Sequence, residues 1–191
     1  MGGFGRSESG ASAVEFAMLA VPFFGILCAT FETAVDYWAQ TNLDVVLSEA
    51  ARGIYTGKFQ SDNAGSKKTP EQMLAILRDQ LCNEDGKPRS TLFVCQNVRL
   101  NITSADTFTG SSSTSPVATD AKTGKTDWNS NFGKYTCATG STIVRVQAAV
   151  DFPVYFSFLK PNVTKLSSGR RILESATVFR VEPYQKTGVC S

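Results

Sequence analysis

The sequence predicts an α+β protein in which one long N-terminal helix, able to serve as both membrane span and stem, packs on a small antiparallel sheet. Three observations carry this prediction. An apolar run extends from Ala11 to Phe31, helical apolar spacing continues beyond it, and three later segments alternate as strands do.

The run reads ASAVEFAMLAVPFFGILCATF and holds one charge, Glu15. At 1.5 Å per residue such a helix is about 30 Å long, the thickness of the bilayer hydrocarbon. Arg6 and the chain's own amine precede it; Glu32, Asp36 and Asp44 follow, with no lysine or arginine until Arg52. The positive-inside rule therefore places the N-terminus in the cytoplasm and the bulk of the chain outside. A secretory signal has a shorter apolar core, about 7–15 residues, ending at a small-x-small cleavage site. Here the run is longer and leads into more helix, so retention as an anchor is expected. Pro22 predicts a kink, and Gly25 and Cys28 are small residues suited to helix packing.

From Asp36 to Tyr55 the helical pattern persists, with Leu43, Val46, Leu47, Ala50 and Ile54 on one face and Gly53 and Gly57 as the stop. Thr69-Pro70-Glu71-Gln72 then has the form of a capping box with proline at the first helical position. It opens a short helix whose apolar face is Met73, Leu74, Leu77 and Leu81. Strands are predicted over Gln96 to Thr103, Thr142 to Phe152 and Arg171 to Val181. The third, apolar on both faces, is expected in the middle of the sheet. Between the first two, Ser104 to Thr136 is too long for a simple turn. Phe108, Trp128, Phe132 and Tyr135 suggest that its later half packs back on the domain. The aromatic segment Phe152 to Leu159 suits core, a domain rim, a subunit contact or a membrane surface.

Composition excludes much. The chain has 191 residues, room for one domain and an appendage, and 19 Lys and Arg against 17 Asp and Glu, a net +2 without a basic cluster. No nucleic-acid partner is expected. There is no histidine, which removes the commonest general base and metal ligand. No carboxylate pair suggests a shared proton or a metal. Gly124-Lys125-Thr126 is not a phosphate-binding loop, since Thr119 stands where that motif requires glycine. The chain is expected to be no enzyme, with no cofactor, metal or small-molecule substrate.

Of five cysteines, Cys28 lies in the apolar run and Cys82, Cys95, Cys137 and Cys190 in the polar part. Two disulfides in an oxidising compartment are expected, and four cysteines allow three connectivities. Cys82 with Cys95 and Cys137 with Cys190 are favoured. The first closes a short loop between a helix and a strand, and the second ties down the C-terminus. A four-cysteine zinc site lacks any CxxC pair to support it.

Glu15 does not fit a plain anchor, because a carboxylate deep in a spanning helix costs at least about 2.5 kcal/mol. The string Gly10-Ala11-Ser12-Ala13-Val14-Glu15-Phe16 resembles the processing site of type IV prepilins, and its wording GASAVEFA resembles the TadE/TadG family of tight-adherence (Tad) pili. The ending TVFRVEPY from Thr177 resembles the close of TadE-like domains. The resemblance implies a pilin-like fold and cleavage by a membrane aspartyl protease after Gly10, so that Ala11 becomes the first residue and Glu15 the fifth. The new Ala11 amine could then pair with Glu15 of its own or a neighbouring subunit.

On this reading residues 1–10 are a cytoplasmic leader, 11–57 the transmembrane and stem helix, and 58–191 an extracytoplasmic α+β domain. The expected function is that of a minor pilin or pseudopilin of the bacterial inner membrane, acting in pilus assembly and adhesion. Its implied partners are the prepilin peptidase, other pilins, the assembly machinery and membrane lipid. The alternative is an anchored, adhesin-like binding module outside any pilus. A tethered enzyme is a poor third without histidine.

Overall fold

The computed structural model describes residues 8–65, 68–84, 86–156 and 166–183. The chain divides into two compact units, Met1–Tyr37 with Tyr155–Asn162, and Trp38–Val154 with Val163–Ser191. Helix α1, Glu8–Tyr55, contributes to both.

In the first unit α1 runs through Pro22 without ending. Phe16, Met18, Leu19, Val21, Phe23, Phe24, Ile26 and Phe31 all lie exposed along it. Its hydroxyls do not interrupt the helix, because the Thr30 and Thr33 side chains donate back to the carbonyls of Ile26 and Ala29 at 2.9 and 2.8 Å.

In the second unit the same helix becomes one-sided. Ala39, Leu43, Val46, Leu47, Ala51 and Ile54 are buried, while Asp44, Glu49 and Arg52 stay exposed. This is the face the spacing predicted, with Ala51 more deeply placed than Ala50. The helix stops at Tyr55, and Gly57 takes the left-handed conformation, φ 75°, that ends it at low cost. Gly53, expected to share in the stop, instead lies inside the helix. The chain turns back through α2 (Lys58–Asp62), and Phe59 Cβ comes within 3.7 Å of where a Gly53 Cβ would stand.

Helix α3, Pro70–Cys82, begins with the predicted capping box. The Gln72 backbone N–H donates to Thr69 Oγ1 at 3.4 Å, and the Thr69 N–H donates to Gln72 Oε1 at 2.9 Å. Glu71 in that first turn has its carboxyl pKa lowered by its own backbone N–H and the Thr69 side chain. The predicted face Met73, Leu74, Leu77 and Leu81 is buried.

After the two-residue strands β1 (Asn83–Glu84) and β2 (Lys87–Pro88) comes the main sheet, formed by β3 (Arg99–Ala105), β6 (Ile143–Phe152) and β7 (Arg171–Arg180). Both pairings are antiparallel, with Ile102 opposite Val146 and Val146 opposite Thr177. A separate hairpin pairs β4 (Val117–Thr119) with β5 (Thr126–Trp128). Gly124, φ 66°, and the Asp120 carboxylate, which accepts the Lys122 N–H at 2.7 Å, shape its turn. The glycine of Gly124-Lys125-Thr126 thus serves a hairpin.

Two expectations are corrected by the sheet. The middle strand is β6, not β7. Small and β-branched residues let β6 bury both faces, including Val144, Val146, Ala148, Ala149 and Val150, whereas Val178 on β7 remains 38% exposed at the sheet edge. β6 carries seven apolar residues in ten and β7 five, so the expectation gave too little weight to Arg171, Glu174 and Arg180 on β7. The first strand also begins at Arg99 and not Gln96, because Cys95–Asn97 forms a 3-10 turn. The Asn97 and Val98 N–H groups there donate to Val94 and Cys95 carbonyls at 3.0 and 3.1 Å, so they are unavailable to a ladder.

Candidate functional site

The residues singled out for processing and assembly lie at the start of α1. Gly10 and Ala11 fall within its first turns. Glu15 is exposed on the helix surface among apolar neighbours that are themselves exposed. The apolar stretch of this helix, counted from Ser12, is long and apolar enough to cross a membrane, and none of its most apolar window is buried in protein. Helices with that composition in a soluble core are mostly buried, so this one fits a single-pass membrane anchor. Residues 10–52 match the family model of TadE-like proteins. The similarity to TadE-like proteins covers this segment. The match begins at the glycine of the string that carries the resemblance and ends in the last turn of α1. TadE-like proteins are a structural, pilus-associated family. No curated protein and no solved structure matches the chain.

Helix α1 carries a second carboxylate whose burial the sequence did not announce. Glu32, one residue beyond the apolar run, is 0% exposed. Its Oε2 accepts the Phe156 N–H at 3.0 Å, which ties the aromatic segment after β6 to α1 within the first unit. Only proximity in space could have revealed this pair. Of the segment expected to be core, rim or contact, Phe152 is buried and Tyr155 is 60% exposed; residues 157–159 lie outside the described residues. Tyr37 and Trp38, 75% and 64% exposed, follow the apolar stretch on α1. Exposed Tyr and Trp at this place suit the boundary between lipid and water, where an amphipathic ring satisfies both.

The long segment after β3 divides in two, as the aromatic residues suggested. Phe132 is buried, and the chain on either side of Tyr135 pairs with β3: the Ile102 N–H donates to Lys134 O and the Thr136 N–H to Ile102 O, each at 2.8 Å. Phe108 stays exposed. This return covers the polar side of β3 and buries Asn101, whose Oδ1 accepts the Gly133 and Lys134 N–H groups at 3.3 and 3.0 Å.

Asn101 Nδ2 in turn donates to Gln147 Oε1 at 3.1 Å. Gln147, buried in the central strand, also accepts the Thr114 N–H at 3.3 Å and donates through Nε2 to Thr114 O and Glu174 Oε1, both at 3.1 Å. One amide therefore joins all three strands of the main sheet to the long loop. Sequence reasoning missed both residues, since polar positions within strands read as solvent-facing.

Cys82, at the end of α3, is disulfide-bonded to Cys95 in the 3-10 turn, as expected. Cys137 is also disulfide-bonded, and the partner expected for it, Cys190, lies outside the described residues. Cys28 on the apolar helix is a free thiol. A thiol reagent applied to unfolded, unreduced protein is expected to label Cys28 alone by peptide mapping; label at Cys82 or Cys95 would contradict the bridge.

Proposed function

We propose that this protein is a minor pilin or pseudopilin of a tight-adherence pilus, held in the bacterial inner membrane by α1 until it assembles. Residues 1–10 are its leader, 11–57 its membrane and stem helix, and 58–191 its periplasmic domain. Prepilin peptidase cuts after Gly10, and Glu15 becomes the fifth residue of the mature chain. The observation that carries this reading is the TadE-like match over residues 10–52 on a helix whose apolar surface is unburied.

The physical argument concerns compensation. A carboxylate at Glu15 is costly in lipid, and cleavage creates an amine four residues away that offsets it, in the same subunit or the next. The chain's function is then to associate with other pilins and the inner-membrane assembly machinery, with lipid as its medium and the periplasm as the oxidising compartment its cysteines require.

Crosslinking in cells, followed by purification of the other pilins, tests this. The processed protein is expected to co-purify with them in the membrane or in sheared fibres. Recovery only as a free monomer, at normal abundance, would favour the second reading, an anchored binding module. That reading has its own support in a polar pocket of the outer domain.

A further inference from the structure

The second unit contains a pocket of about 430 Å³ on the side of the sheet reached by α3 and the β4–β5 hairpin. Arg78, Gln96, Asn97, Arg99, Trp128 and Asp151 line it. Three stretches far apart in sequence, α3, the 3-10 turn with the start of β3, and β5, thus bring two arginines, one tryptophan and polar amides to one concave site. The volume lies within the range of small-ligand sites, about 300–1,000 Å³.

Its charges do not cancel. The Asp151 carboxylate is engaged by the Arg170 guanidinium and accepts Asn97 Nδ2 at 3.3 Å. Arg78 donates through Nη1 to the Gln96 carbonyl at 3.4 Å, and its Nε, shielded from solvent, has no hydrogen-bond partner. Arg99 lies over the Trp128 indole, with Cζ 4.2 Å from the ring centroid. Among the described residues neither Arg78 nor Arg99 is paired with a carboxylate. The pocket is therefore cationic although the chain as a whole is nearly neutral.

We propose that this pocket binds an acidic sugar of the uronic-acid class. Each feature of the lining matches one part of such a ligand. A guanidinium presents planar, paired donors that fit a carboxylate, and two of them here lack an anion. The Arg99 guanidinium covers one face of the Trp128 indole, so its in-plane N–H groups stay free for a carboxylate while the part of the half-exposed ring left uncovered offers an apolar edge to the C–H groups of a pyranose. The Gln96 and Asn97 amides, both at exposed positions, supply donors and acceptors for those hydroxyls. A wholly apolar ligand would leave these groups unpaired, and a long polyanion would require a basic groove that the charge distribution does not provide. The site is independent of processing at Gly10, since every lining residue belongs to the outer domain.

The test is calorimetric titration of the full-length protein in nanodiscs with trigalacturonate, with its neutral galactose counterpart and inorganic phosphate as parallel probes. Saturable binding of trigalacturonate with a Kd of about 1 mM or tighter, and at least about tenfold weaker binding of the neutral trimer, is expected. Arg78→Gln and Arg99→Gln should each weaken it by about tenfold, and Arg52→Gln should leave it unchanged. Unaltered thermal unfolding of these variants separates loss of a contact from loss of the fold, and Trp128→Ala, weakening binding of the trimer more than that of phosphate, reports the apolar contact. Absence of binding, equal binding of the neutral trimer, phosphate binding as tight as the trimer, or indifference to both arginine substitutions would each overturn the assignment.

Discussion

Gln147→Leu is expected to destabilise the outer domain by about 2–4 kcal/mol, a larger effect than most surface substitutions produce. The side chain makes four hydrogen bonds, and removing it leaves the Asn101 amide and the Thr114 backbone without those partners in a site largely closed to water. Each stranded buried polar group costs about 1–3 kcal/mol, while the added apolar volume of leucine returns part of that loss. Denaturant unfolding of the full protein in micelles measures it. A second substitution distinguishes this network from generic packing: Asn101→Leu together with Gln147→Leu should cost less than the sum of the two, because the stranded Asn101 donor is removed as well. Loss below about 1 kcal/mol for Gln147→Leu would mean that water or neighbouring groups take over its bonds.

Glu15→Gln is expected to leave insertion intact or ease it, because a neutral amide costs less in lipid than a carboxylate. Cleavage after Gly10 should persist, since the peptidase is proposed to read chiefly the glycine. Assembly should fall sharply. The new Ala11 amine would face an amide in place of its counter-ion, and an unpaired buried charge costs about 3–5 kcal/mol, enough to reduce association at least a hundredfold. Crosslinking of the processed variant to other pilins, compared with the unsubstituted protein at equal membrane abundance, gives the readout. Undiminished crosslinking would make Glu15 a hydrated interfacial residue and α1 a plain anchor.

These two sites mark what was and was not legible in the sequence. The long helix, its amphipathic continuation, the capping box at Thr69 and the three main strands depend on residues close in sequence, and periodicity exposed them. The Cys82–Cys95 bridge was also legible, since a short loop between a helix end and a strand start brings its ends together. The sheet order was not. Which strand lies centrally depends on neighbours contributed from elsewhere, and β6, with valines and alanines buried on both faces and one buried glutamine, takes that place, while β7 carries Arg171, Glu174 and Arg180 along the edge.

The same limit hid Gln147, Asn101 and Glu32. Each is polar and reads as solvated until a distant segment covers it: the Gly133 to Tyr135 return for Asn101, the Thr114 backbone for Gln147, and Phe156 for Glu32. The pocket is similarly built by convergence, with Arg78 from α3, Arg99 from β3 and Trp128 from β5. The Gly10 to Phe16 string stands apart, since a processing motif acts through its residues in order.

The central claim is that α1 begins life as a prepilin segment, and the mass of the mature N-terminus tests it most directly. Protein isolated from the membranes of cells that contain the peptidase is digested, and its N-terminal peptide is weighed. A chain beginning at Ala11, with Met1 to Gly10 removed, is the predicted result. A chain that retains Met1, or that is cut near Ala29, towards the end of the apolar run, as a secretory signal would be, contradicts it.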